Sequence, residues 1–208
     1  MIPIETISVF FAASVALALA PGPDNIFVLT QSALSGRAAG LVVTLGLCTG
    51  LIVHTLAVAF GVAVIFQTSA MAFNALKLIG AAYLLYLAWQ AFKARPSDMT
   101  LGANGKLTRR KLYLRGVVMN VTNPKVAIFF LAFLPQFADP TRGSVALQMV
   151  AFGAIFMLAA FVVFGAVSWA SGFLSEWLRH SERAQVIMNR VAGTVFVGLV
   201  ARLVVTQR

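Results

Sequence analysis

The sequence predicts an all-α integral membrane protein. Six transmembrane helices form two inverted three-helix repeats, and helices 1 and 4 are broken at proline. Three observations carry this. Of the 208 residues 60% are hydrophobic and only 11% are charged, whereas a soluble domain carries about 25% charged residues. The charges fall between apolar runs of the roughly 20 residues that a transmembrane helix needs. Two of those runs, LALAPGPDNIFVL (17–29) and NVTNPKVAI (120–128), carry a proline-centred polar cluster where a helix should be most regular.

The first span lies between Thr6 and Gly36, where Asp24 is the only charge. Residues 6–20 are apolar, and Ala18-Leu19-Ala20 at their end resembles a signal-peptide cleavage site. The first five residues hold Glu5 and no Lys or Arg, Pro21 would follow the cut, and the apolar run resumes at Ile26, so the segment is read as a retained helix. From Ala38 to Leu76 there is no charge, and His54 is the one titratable group near the middle. Gln67-Thr68-Ser69 divides this stretch into a long second helix and the start of a third, which ends around Lys93. Residues 94–114 form the one long polar segment, with Pro96, Gly102, Gly105 and a basic cluster. The fourth span covers 116–137, apolar apart from Asn120, Asn123, Lys125 and Gln136. The uncharged run from Gly143 to Ser175 holds the fifth. The sixth, about 185–205, is bracketed by Arg190 and Arg202, which can snorkel to the interfaces. Unbroken runs of this length without period-two alternation do not suit a β-barrel.

The chain therefore reads as a single transmembrane domain, 1–208, with repeat 1 at 1–93, a linker at 94–114 and repeat 2 at 115–208. The formal net charge is +10. Its location argues for membrane orientation, and no basic soluble module points to nucleic acid. The N-terminal side holds Lys77, Arg142, Arg202 and Arg208. The other holds Arg37, Lys93, Arg95, Lys106, Arg109, Arg110, Lys111, Arg115, Arg179, Arg183 and Arg190. The positive-inside rule places the second set, with the linker, in the cytoplasm and both termini outside.

The halves match in register. Gly22-Pro23-Asp24-Asn25-Ile26-Phe27 aligns with Asn123-Pro124-Lys125-Val126-Ala127-Ile128, and Lys77…Gly80…Tyr83 aligns with Arg190…Gly193…Phe196. An odd number of spans per half makes the second half inverted, an architecture common among secondary transporters.

A helix-interior proline removes a backbone N–H and clashes one turn back. In hydrocarbon the freed carbonyls need partners, so Pro21-Gly22-Pro23 and Pro124 are expected to break helices 1 and 4 around a cavity. Half-helix ends bind carboxylates and cations in transporters. Asp24 and Lys125 are the deepest charges, opposite in sign and equivalent in position. A charge at the bilayer centre costs roughly 2.5–3.5 kcal/mol on insertion scales. An amino-acid zwitterion would match the pair, Lys125 taking its carboxylate and Asp24 its ammonium. The alternative is a structural salt bridge between the two. Asn25, Asn120 and Asn123 either cap exposed backbone or line the cavity. His54 is either a proton relay or an interhelical hydrogen bond, the second being favoured. Gly46 and Gly50 form a GxxxG contact face, more often used within a chain than between copies; a homo-oligomer stays open. Tyr83, Tyr86 and Trp89 form either a cavity wall or an interfacial belt, with packing favoured for Tyr83 and the belt for Trp89. Cys48 is a small packing residue that excludes an intrachain disulfide.

From APGPDNIFVL, through Gly46 to Gly61 and LKLIGAAYLLYLAWQAFKA (76–94), to NPKVAIFFLAFLPQF (123–137), the sequence resembles the lysine exporter and threonine/homoserine efflux (LysE/RhtB) family. The resemblance implies a six-helix bacterial inner (plasma) membrane protein that exports amino acids with the proton gradient. It puts functional weight on Pro21, Gly22, Pro23, Asp24, Asn123, Pro124 and Lys125. The expectation is a secondary active exporter of a small neutral amino acid or derivative (threonine-, homoserine- or leucine-like), proton-coupled through Asp24 or His54 and working by alternating access. Its partners would be substrate, protons and the bilayer, with no cofactor and no metal. One acid and one base leave little charge for a cationic side chain, which disfavours a basic amino-acid exporter. A metal or inorganic-ion exporter would need more ligands. A membrane-embedded enzyme lacks an HExxH, a GxSxG or a second buried carboxylate.

Overall fold

The computed structural model describes residues 2–62, 70–94 and 107–205, which are mostly helical with no strand among them. The Gln67-Thr68-Ser69 break and most of the 94–114 linker, with Arg95 and Lys106, lie outside the described residues, as does Arg208.

Nine helices are described: α1 (Ile4–Leu19), α2 (Pro23–Ser35), α3 (Arg37–Ala57), α4 (Ala70–Lys93), α5 (Arg109–Val121), α6 (Pro124–Ile128), α7 (Val145–Trp169), α8 (Ser171–His180) and α9 (Glu182–Val205). A π-helical segment, Val58–Val62, extends α3, and another, Phe129–Phe133, followed by a 3-10 turn at Leu134–Phe137, extends α6. Four helices are long and apolar enough to cross a membrane alone. Two bent helix pairs, α1 with α2 at 63° and α5 with α6 and its extension at 48°, raise the number of candidate spans to six if each pair crosses as one. Both bends fall at the expected prolines. The protein is thus a multi-pass, all-α integral membrane protein.

Proline explains where each second half-helix begins. Pro23 and Pro124 occupy the first turns of α2 and α6, where a missing N–H costs no intrahelical bond and φ is preset for helix. Gly22 precedes α2 in extended conformation without a side-chain cap, whereas Asn123 caps α6 by accepting from Lys125 N at 3.0 Å.

Helix α3 is central, packing on α2, α5 and α7; α1 lies on α7, and α4 on α9. Its inward face carries Val43, Leu47 and Leu51, and its outward face Leu45, Ile52 and Leu56, so the apolar stripes face both protein and lipid. The α3–α5 crossing is set by glycine. A Cβ on Gly46 would collide with Tyr113 O, and one on Gly116 would lie 2.6 Å from Val43 O. A Cβ on Gly50 would lie 2.7 Å from Asn120 Cβ. The GxxxG face is therefore consumed inside the chain.

The uncharged run that was expected to hold helix five to about Ser175 is divided. Helix α7 ends at Trp169, and α8 starts at Ser171. Twenty-five residues already reach about 37 Å, enough to cross. The remainder turns aside as a short amphipathic helix with Phe173 and Trp177 exposed, as interfacial helices do. The last helix starts at Glu182, three residues before the expected 185, and runs to Val205.

Cation–π contacts sit at the helix ends, two of them between elements and one, Lys93 on Trp89, within α4. Arg37 sits over Trp169 at 4.8 Å and Lys93 over Trp89 at 4.3 Å at one end, and Arg202 over Phe137 at 4.3 Å at the other. Trp89 is exposed, as an interfacial belt residue should be.

Candidate functional site

Breaking a helix in a dry interior orphans the carbonyls of its last turn. In α1 one buried side chain from the second half and one from the next helix take them up. Lys125 Nζ donates to Leu17 O at 3.4 Å and to Ala20 O at 2.9 Å. Asn25 Nδ2 donates to Ala18 O at 2.7 Å. The Lys125 ammonium is thus held by the negative dipole end of α1, reaching from the first turn of α6.

Asp24, at the first turn of α2, is 2% exposed. Asn123 Nδ2 donates to its Oδ2 at 3.0 Å and Asn120 Nδ2 to the same oxygen at 3.5 Å. Asp24 and Lys125 make no direct ion pair with each other, unlike Asp139 and Arg142, which lie 2.9 Å apart. The salt-bridge alternative is therefore not the arrangement found. The reason is competition. Freed carbonyls at the end of α1 claim the ammonium, and two asparagine amides claim the carboxylate.

His54 Nε2 lies 3.0 Å from Asn120 O, and its ring faces Phe130 at 5.7 Å. A carbonyl oxygen only accepts, so Nε2 carries the hydrogen. This is the interhelical bond that was favoured, and it connects α3 to the same asparagine that contacts Asp24.

Two cavities meet at Lys125. A small buried chamber of about 10 Å³ is lined by Leu17, Ala18, Asp24, Leu51, Asn120, Lys125, Val126, Phe156, Ala160 and Phe164. It is roughly the space of one water. A larger cavity of about 310 Å³ is lined by both breaks, Pro21-Gly22-Pro23 and Asn123-Pro124-Lys125, with Tyr83, Leu87, Gln90, Ala91, Ala94, Asn189, Ala192 and Phe196. It reaches the end of α4 that carries Lys93. Asp24 lines the chamber alone; Lys125 lines both. Asn25 lies apart from both, beside an apolar groove between α1 and α9.

Tyr83, for which packing was favoured over a cavity wall, lines the larger cavity, because α4 turns that face toward the breaks. Gln90 and Asn189 carried no motif that would have marked them. Gly22 has an extended φ of −175°, which any residue can adopt. Its reason is space, since a Cβ there would lie 3.2 Å from Lys125 Nζ.

Toward the Arg202 end the chamber is roofed by aromatic rings. Phe156 stacks with Phe129 at 5.3 Å and Phe130 at 5.1 Å. The array continues through Phe133, Phe137, Phe10 and Phe152, all buried.

Residues 15–207 match the sequence model of the LysE type translocator family. The chain is 31% identical over 189 residues to an "Uncharacterized membrane protein" of Vibrio cholerae serotype O1, covering 91% of each chain. It is 28% identical over 191 residues to "Uncharacterized membrane protein YrhP" of Bacillus subtilis (strain 168), covering 88% of this chain and 90% of that one. An uncharacterized membrane protein of Pseudomonas aeruginosa is 30% identical over 192 residues, with 89% and 88% covered. No solved structure gives a significant match.

Proposed function

The chain belongs to the LysE type translocator family, a family of exporters of amino acids or related substrates, and on that premise we propose that it is a secondary active exporter of a small neutral amino acid or derivative. The observation that carries this reading is the cavity of about 310 Å³ with both helix breaks in its wall. That volume is at the small end of the roughly 300–1,000 Å³ of ligand pockets. Its polar groups suit a zwitterion. The α2 N-terminus and the Lys125 ammonium favour a carboxylate, and Tyr83, Gln90 and Asn189 offer hydrogen bonds. A substrate carboxylate that draws Lys125 away from Leu17 O and Ala20 O leaves those carbonyls and Asp24 to the substrate ammonium. Pro21, Gly22, Pro23, Asn25, Asn123 and Pro124 shape and cap the breaks.

The cavity reaches the Lys93 end while packed phenylalanines roof the other, which fits an inward-facing state of an alternating-access cycle. The positive-inside rule makes the Lys93 end cytoplasmic, with both termini outside. The helix contacts are compatible with a two-fold relation. Exchanging α1 with α5, α3 with α7 and α4 with α9 turns the α3–α5 contact into the α7–α1 contact and preserves α3–α7 and α4–α9. Proton coupling would use Asp24 as carrier. His54, already bonded to Asn120 O, is a support for that carboxylate's surroundings.

The test is uptake of a panel of labelled amino acids into inverted membrane vesicles, with and without a pH gradient. Gradient-dependent uptake of small neutral amino acids is expected, reduced to background by Asp24→Asn and Lys125→Ala. Full activity in both variants would overturn the site, and uptake indifferent to the gradient would overturn the coupling.

A further inference from the structure

We propose that the small buried chamber is a monovalent-cation site whose built-in occupant is the Lys125 ammonium. The argument starts from its donors. Leu17 O and Ala20 O hold the ammonium from the negative end of α1. Asp24 and Asn120, each 2% exposed, line the same chamber. Asp24 Oδ1 and Asn120 Oδ1 find no hydrogen-bond partner among the described residues. Buried acceptors are rarely left so, since each costs the desolvation of its lone pairs.

The asymmetry at Asp24 is informative. Both asparagine amides converge on Oδ2, and Oδ1 is the oxygen kept available. An oxygen acceptor takes a donor or a cation, and both free oxygens belong to groups lining the chamber that Lys125 also lines. Carboxylate, amide and carbonyl oxygens are hard ligands, which suit alkali cations and ammonium rather than soft metals. A chamber of about 10 Å³ excludes a whole amino acid and admits a single small cation or its water.

Lys125 therefore plays the part that sodium plays at broken helices elsewhere, but on a tether. While it is seated, alkali cations are shut out, so the cycle needs no sodium. Once it is drawn off, the oxygens accept another small cation, a primary ammonium included. Its role in export rests on the exporter reading; the site itself does not.

The experiment uses the purified full chain in detergent near neutral pH. Thermal unfolding is followed against sodium chloride, potassium chloride and choline chloride at equal ionic strength. The wild type is expected to respond alike to all three. Lys125→Ala is expected to gain a saturable rise in Tm with sodium or potassium that choline does not give. The double variant Asp24→Asn/Lys125→Ala is expected to lose it. Lys125→Ser is the second variant should the alanine form not fold, and the same outcomes apply to it. A folded Lys125 variant without a cation-specific rise would overturn the proposal, as would a wild type that shows the same rise. A cation response in a protein that exports no amino acid supports the site and removes only the transport reading.

Discussion

Asn123 binds Asp24 with one end of its amide and caps α6 with the other. Nδ2 donates to Asp24 Oδ2 at 3.0 Å, and Oδ1 accepts from Lys125 N at 3.0 Å. One side chain thus joins the two broken helices at the point where their opposite charges lie. Any motion that separates the halves must break or carry along this link.

Asn123→Ala should lose the cap, at about 0.5–2 kcal/mol, and leave Asp24 with the weaker 3.5 Å contact from Asn120. Asn123→Asp keeps a capping oxygen but sets a second carboxylate against Asp24. It should be the worse of the two for export. Thermal unfolding and vesicle uptake of the pair check this, and equal export by both would show that the amide donor is unimportant.

Gly22→Ala should impair export with little change in Tm, because the added methyl meets the flexible end of Lys125 rather than backbone. Gly22→Val should be worse. Gly165→Ala is the control, since a Cβ there meets nothing within 4 Å, and it should stay within about 0.5 kcal/mol of wild type.

Gly46→Ala and Gly116→Ala press a methyl into backbone at the α3–α5 crossing. Overpacking of this kind costs about 1–3 kcal/mol, so both should lower Tm. Gly61→Ala on the same span, with open space around it, should not. Retention of wild-type Tm by Gly46→Ala would mean that the helices can part freely here.

His54→Gln retains a donor for Asn120 O, whereas His54→Phe does not. The phenylalanine form leaves that carbonyl with the Asn123 N–H, at 3.0 Å, and loss of the histidine hydrogen bond costs about 0.5–1.5 kcal/mol. The glutamine form should export with the wild-type pH profile, and the phenylalanine form should lose stability. A pH profile flattened by His54→Gln would restore the histidine as a proton relay.

Asp139, in the exposed turn before α7, accepts from the Thr141 hydroxyl at 2.7 Å and from Arg142 Nε at 2.9 Å. The Thr141 hydroxyl and N–H, then Arg142, hold its carboxyl below the usual carboxylate range. A carboxyl with a depressed folded pKa adds stability above its unfolded pKa and loses it as pH falls through the folded one. Tm should therefore fall on acidification slightly more in wild type than in Asp139→Asn, with the difference confined to acidic pH.

Much of the architecture was legible along the chain because hydrocarbon imposes one-dimensional rules. A scarcity of charge marks the spans. Pro21, Pro23 and Pro124 mark where backbone bonding must fail, and the basic loops suggest an orientation. Those constraints act residue by residue, so composition and spacing reveal them. They also mark Asp24 and Lys125, since a charge in an apolar run needs a reason. The sequence could not say what each charge touches. Lys125 turns to Leu17 O and Ala20 O rather than to Asp24, because freed carbonyls more than a hundred residues upstream lie within its reach. Tyr83, Gln90 and Asn189 join the cavity because α4 and α9 pack together and turn those faces toward the breaks. Helix rotation and the partner of a buried polar atom are set by close packing of distant segments, and apolar sequence carries almost no record of that register. The sequence by itself determined a membrane-spanning bundle with two broken helices; only the tertiary structure decided that their charges stand apart, each held by the backbone or amides of the other half.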